Sequence, residues 1–125
     1  MSTFYQDKVF SVELIDNSYY KVIVFENQEF TTEDLKKLVE AQKKNNELIL
    51  PVLVFCENNA QADAVLLAKL SKNKNNPYSK ADAFIINSLA QKILANFYVK
   101  INKPERPTKF FDKEDEALEW LKQYI

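Results

Sequence analysis

Val9 to Ile15 alternates, with Phe10, Val12 and Leu14 on one side and Ser11 and Glu13 on the other. Successive strand side chains point to opposite faces, so this is the signature of a strand with one face buried. Tyr19 to Phe25 is rich in aromatic and β-branched residues, and Asp16-Asn17-Ser18 between the two runs reads as a hairpin loop. The period then changes. Thr31-Thr32-Glu33-Asp34 is a helix start, a hydroxyl cap followed by first-turn acids, and Leu35, Leu38, Val39 and Gln42 follow at helical spacing until Asn45-Asn46. Pro51 opens a short apolar run, Val52-Leu53-Val54-Phe55, suited to a buried strand. Ala60 to Lys72 reads as a second helix, and Ala83-Phe84-Ile85-Ile86 as another buried strand. Ser88-Leu89-Ala90-Gln91 is a capping box opening a third helix that carries Leu89, Ile93, Leu94, Phe97 and Ile101, stopped by Pro104 and Pro107. Lys109-Phe110-Phe111 is a last short strand, and Asp112 is placed to cap a final helix with Ala117, Leu118, Leu121, Tyr124 and Ile125 along one side.

The predicted strands lie near 9–15, 19–25, 51–55, 82–86 and 108–111, and the helices near 32–45, 60–73, 88–101 and 113–124. The order is ββαβαβαβα, an α/β class with a mixed five-stranded sheet. Single strands alternating with helices call for parallel βα units, preceded here by an antiparallel hairpin. No repeat or linker interrupts residues 1–125, which read as one domain. Trp120 on the last helix is expected to pack its indole onto the body of the domain.

Composition narrows the chemistry. The chain has no glycine and no histidine. Average usage would supply roughly nine glycines in this length, so phosphate cradles of the GxGxxG or GxxxxGK[ST] kind are excluded. Asparagine takes over as punctuation, because it tolerates left-handed backbone better than most residues. Asn17, Asn45-Asn46, Asn58-Asn59, Asn73, Asn75-Asn76 and Asn102 all fall near the ends of periodic segments. Without histidine there is no Ser-His or Cys-His nucleophile and no imidazole ligand for a metal. Paired carboxylates offer little: Glu33, Asp34, Asp112, Glu114, Asp115 and Glu116 sit at helix starts, where the dipole or a cap explains them, and no acid is read as standing inside an apolar run where desolvation would tune it. No catalytic residue, metal site or cofactor is expected, and the chain reads as a non-enzyme.

Net charge is −1, and Arg106 is the only arginine beside sixteen lysines. That balance gives no basic field or guanidinium fork for nucleic acid. The apolar runs are too short to span a bilayer. Residues 1–7 lack the basic-then-apolar pattern of a signal peptide, and Cys56 has no partner for a disulfide, which points to the cytoplasm. Abundant lysine and asparagine fit a bacterial chain from an AT-rich genome. Cys56 itself reads as a buried or half-buried small apolar residue, since no histidine can activate it and Glu57 beside it would raise its pKa.

The element order resembles the STAS, or anti-sigma-factor-antagonist-like (SpoIIAA-like), fold, shared distantly with the SEC14 lipid-transfer domain. A closer likeness lies in Asn87-Ser88-Leu89-Ala90-Gln91, Ala95-Asn96-Phe97-Tyr98, Asn102-Lys103-Pro104, Pro107-Thr108-Lys109 and Ala117-Leu118-Glu119-Trp120-Leu121. These motifs are similar to those of small uncharacterised bacterial STAS-like proteins. The resemblance implies a protein-interaction or regulatory module. It does not extend to the phosphorylatable serine of anti-sigma-factor antagonists, because the corresponding place reads Cys56-Glu57-Asn58-Asn59-Ala60. Lipid transfer of the SEC14 kind would need a chain roughly twice as long.

Two functional readings follow. The first is a homodimeric interaction module: the third helix is apolar nearly all round, and the apolar strands ask for cover on both faces. Either a helix crosses behind the sheet or a second subunit covers it. The alternative is a small-ligand carrier or sensor, with a polar crevice at the carboxyl ends of the strands built from Asn58, Asn59, Asn87, Ser88 and Gln91, where helix-start amides can hold an anionic group.

Overall fold

The computed structural model describes residues 2–125. The elements, in order, are β1 (Ser2–Gln6), β2 (Phe10–Ile15), β3 (Tyr19–Val24), β4 (Glu29–Phe30), α1 (Thr32–Asn45), β5 (Leu50–Cys56), β6 (Gln61–Ala62), α2 (Ala64–Leu70), β7 (Ser79–Ile85), α3 (Leu89–Phe97), a π-helical turn (Tyr98–Asn102), β8 (Thr108–Phe111) and α4 (Glu114–Leu121). The main sheet runs β1-β2-β3-β5-β7-β8. β1, β2 and β3 pair antiparallel, while β3, β5, β7 and β8 are parallel. All five expected strands are present, but the sheet has six. The added strand, β1, lies at the edge, and its two aromatics, Phe4 and Tyr5, stand side by side without the alternation that would announce it. β4 and β6 form a separate two-stranded parallel ribbon.

α1 begins where its cap predicts. Thr31 Oγ1 accepts from Asp34 N, and the Asp34 carboxylate accepts from Thr31 N at 2.8 Å, closing a capping box. α2 is shorter than its apolar spacing predicts. Asp63 caps it by accepting from Leu66 N, so Ala60 to Ala62 fall outside the helix, and Gln61 and Ala62 pair with β4. Asp112 does not cap α4; the capping position is Lys113, which contributes no side-chain bond.

Among the described residues, six take left-handed backbone, namely Asp16, Asn17, Asn27, Glu47, Asn59 and Lys103. Half are asparagine, in line with the punctuation read from sequence. After the π-turn the left-handed residue is Lys103 at φ 50°, not Asn102.

The two sheet faces are covered differently. α1, α2 and α3 lie over one face, where Phe10, Val12, Tyr20, Val22, Val52 and Leu66 form the larger core. α4 folds behind the sheet, and Ala117 and Leu121 pack on Leu53, Ala81 and Ala83. This supplies the second cover that the doubly apolar strands require, from within the chain. Lys21 Nζ meets Glu114 Oε2 at 3.3 Å where α4 begins. Trp120 is half-buried against Phe111 and Tyr124, with ring centroids 5.9 and 5.0 Å away, as its placement on α4 predicts.

Candidate functional site

At the carboxyl ends of β5 and β7 the chain leaves the sheet into Glu57–Asn59 and into Asn87-Ser88, where Asn87, Ser88 and Gln91 are bonded to one another, while the side-chain bonds of Asn59 go to Asn27 and Gln61. Ser88 Oγ accepts from Gln91 N at 3.1 Å, the cap expected of it. The Gln91 carbonyl oxygen accepts from Asn87 N at 2.8 Å, one residue earlier than the usual reciprocal bond. Its amide nitrogen donates to the carbonyls of Glu57 and Ala60 at 3.0 and 3.2 Å, so one buried side chain ties the β5–β6 loop to α3. Asn87 Nδ2 donates to the Cys56 carbonyl at 3.1 Å. Asn59 donates to Asn27 Oδ1 and accepts from Gln61, both at 3.0 Å. Asn58, Asn59 and Asn87 are exposed, Ser88 is half-buried and Gln91 is buried.

Beneath this sheet end, between the sheet and α1 to α3, lies an internal cavity of about 110 Å³. Its walls are mostly apolar, with Val22, Val54, Leu66, Phe84 and Phe110 among them, and the β4–β6 ribbon closes one end through Phe30 and Ala62. Gln91 lines it too, but the other four crevice residues do not. Other polar residues line the cavity without having been expected at a site, among them Gln42, Tyr98 and Asp82. Gln42, at 0% exposure, has neither its amide nitrogen nor its amide oxygen hydrogen-bonded. The Tyr98 hydroxyl, on a side chain 1% exposed, is likewise without a partner. Burial raises the Tyr98 phenol, with the nearby Asp82 carboxylate adding to it and Arg106 opposing. Asp82 borders the cavity but is spent on other bonds. It meets Arg106 at 2.7 Å, both side chains 2% exposed, and accepts from the Ser79 hydroxyl. A signal for Gln42 existed, since it occupies an inward position in the periodicity of α1. Asp82 had one as well, as an acid flanked by Ala81 and Ala83.

Cys56 also lines the cavity, and burial pushes its thiol up to about 12 from an ordinary 9.0. A group with a raised native pKa keeps its proton while the unfolded chain loses it, so its contribution to stability is full below pH 9.0 and is lost as pH rises towards about 12. Native protein is therefore expected to resist iodoacetamide at neutral pH, and urea-unfolded protein to alkylate readily. Equal rates in the two states would show that the thiol is open to solvent.

The outer surface carries a different feature. α3 buries Gln91, Ala95 and Tyr98 and turns Leu89, Ile93 and Phe97 outwards. Leu89 is 74% exposed, Ile93 61% and Ile101, on the π-turn, 64%. The i, i+4 spacing places these side chains in one stripe. No helix among the described residues is long and apolar enough to cross a membrane. Nor do three or more carboxylate or thiol ligands come together among them in a group able to hold a metal.

The chain is similar to the crystal structure of an uncharacterised protein of the DUF3478 family with a SpoIIAA-like fold, from Shewanella loihica PV-4. The two share 18% identity at a TM-score of 0.58, over 90% of this chain and 91% of that one. The fold is thus STAS-like. Residues 15–125 match the model of a domain of unknown function, DUF7793, and the chain belongs to that family. No protein of curated function matches it in sequence.

Proposed function

We propose that this chain is a non-enzymatic, STAS-like interaction module, working in the cytoplasm and pairing with a second copy of itself through the outward stripe of α3. One observation carries the reading. Leu89, Ile93, Phe97 and Ile101 lie exposed along one helix although the same helix has an inward face of its own. Contiguous exposed apolar side chains mark interaction sites on water-soluble domains. A stripe on a single helix meets its own copy about a two-fold axis, each residue finding its counterpart, which is the commonest form of assembly. The lack of histidine and the single arginine favour binding a protein over catalysis or nucleic acid.

Sedimentation velocity tests it. Wild-type protein is expected to run as a dimer at micromolar concentration, and Ile93→Glu/Phe97→Glu as a folded monomer. A wild-type monomer throughout that range, or a dimer untouched by the double substitution, would overturn the pairing.

The second reading, a ligand crevice at Asn58, Asn59, Asn87, Ser88 and Gln91, is favoured by the bonds that join Asn87, Ser88 and Gln91 to one another and to the backbone of the β5–β6 loop. Most of their polar atoms are already bonded within the chain. A ligand there would have to exchange with those bonds, and for that reason the interaction reading takes precedence.

A further inference from the structure

We infer that the cavity between the sheet and α1 to α3 is a binding site for a small, uncharged organic molecule, an apolar body the size of a single ring carrying one hydroxyl or amide group. The inference is independent of self-pairing, since the cavity is internal and the stripe faces outwards.

The volume comes first. About 110 Å³ is somewhat less than the engineered apolar cavity of about 150 Å³ that stays dry and takes up benzene. It holds a ring or a short branched chain and is too small for a long acyl chain. The walls come second. Side chains such as Val54, Leu66, Leu94, Phe84 and Phe110 offer dispersion contacts and no hydrogen bonds. A molecule seated among them must be largely apolar.

The polar groups then fix what the apolar body must carry. Gln42 comes from α1 and Tyr98 from the end of α3, and both line the same cavity. Gln42 holds an unmatched amide donor and acceptor, and Tyr98 an unmatched hydroxyl. Leaving such groups buried and unbonded is costly, and native interiors rarely do so. A core selected only for packing would place leucine or methionine at Gln42 and phenylalanine at Tyr98. A ligand hydroxyl or primary amide can donate to one of these groups and accept from the other. A charged ligand fits poorly. The one carboxylate at the wall, Asp82, is already paired with Arg106, and no free cation stands among the lining residues to offset an anion. Gln61, on the two-residue strand β6, both lines the cavity and is exposed.

Phenol, benzene and acetate serve as probes in ¹H–¹⁵N NMR titrations of the whole chain. Phenol is expected to saturate and to shift the amides of α1, β7 and the π-turn. Benzene should bind more weakly and acetate not at all. Gln42→Leu should weaken phenol by about tenfold, the loss of one buried hydrogen bond, and leave benzene within about twofold. Tyr98→Phe, which keeps the ring volume, provides a second variant should Gln42→Leu disturb α1. Wild-type protein that shows no saturable shift with either phenol or benzene would overturn the inference, the cavity then holding water alone. So would phenol shifts confined to the α3 stripe, or phenol binding unchanged in both variants. Because the shifts are mapped by residue, dimer loss on the outer face of α3 cannot be mistaken for ligand loss inside.

Discussion

Replacing Arg106 with alanine is expected to lower the free energy of unfolding by about 3–5 kcal/mol, the range for breaking a buried ion pair on one side. Asp82 sits on a strand between Ala81 and Ala83, and its side chain is 2% exposed. Arg106 Nε donates to Asp82 Oδ2 at 2.7 Å, and the other guanidinium nitrogens donate to the Asn73 carboxamide at 3.0 Å and the Leu70 carbonyl at 2.6 Å. One side chain therefore joins β7, the end of α2 and the turn after it. Its removal leaves a buried carboxylate with only the Ser79 hydroxyl, and orphans the Leu70 carbonyl. Urea unfolding with an unchanged m-value measures the loss. A cost below about 1 kcal/mol would mean that water reaches Asp82 and replaces the guanidinium. The partner variant sharpens the test. Asp82→Asn combined with Arg106→Leu removes both charges and should recover part of the loss, because the largest penalty is the unpaired charge itself.

Leu121→Ala is expected to cost about 2–5 kcal/mol, as removal of fully buried leucines does. Leu121 and Ala117 are both 0% exposed and rest on Leu53, Ala81 and Ala83. The alanines on the back face of β7 let α4 approach closely, so the neighbourhood is stiff and the gap left by the leucine collapses poorly. The same truncation at Trp120 should cost less, since that indole is only half-buried. A change within about 0.5 kcal/mol at Leu121, typical of a surface site, would mean that α4 does not seal the back of the sheet in solution.

The ββαβαβαβα order was legible because each element announced itself by period or cap. β2 alternates, β5 is an unbroken apolar run, β7 ends in the apolar run Ala83-Phe84-Ile85, and Thr31 and Ser88 cap the helices that follow them. β1 was hidden because an edge strand with one open side needs no apolar alternation. The start of α2 was misplaced because alanine-rich spacing continues across Ala60 to Ala62, while the capping carboxylate of Asp63 decides where the helix begins. The expected site residues were chosen from loop chemistry at the sheet end; Asn87, Ser88 and Gln91 are joined there, while Asn59 bonds into the β4–β6 ribbon region instead. What sequence could not supply is the direction in which α3 faces. The large residues Leu89, Ile93 and Phe97 look like the inward face, yet the helix buries the smaller or more polar Gln91 and Ala95 together with Tyr98. Only the packed sheet shows that these groups, with Gln42, surround an unfilled volume.

The sheet is open at both ends, on β1 and on β8, and each outer edge offers backbone groups to a passing strand. Neither is an inviting template. β1 slips register between Thr3 and Tyr5 against β2, so its edge is not a regular ladder. β8 has four residues and carries the exposed Lys109 in its middle. Short, charged or bulged edges discourage strand addition, so copies of this chain have poor means of stacking side by side into fibrils. A two-fold contact through α3 uses up the stripe on both partners and leaves nothing for a third. Crowding such molecules should raise the proportion of pairs without lengthening any chain of them.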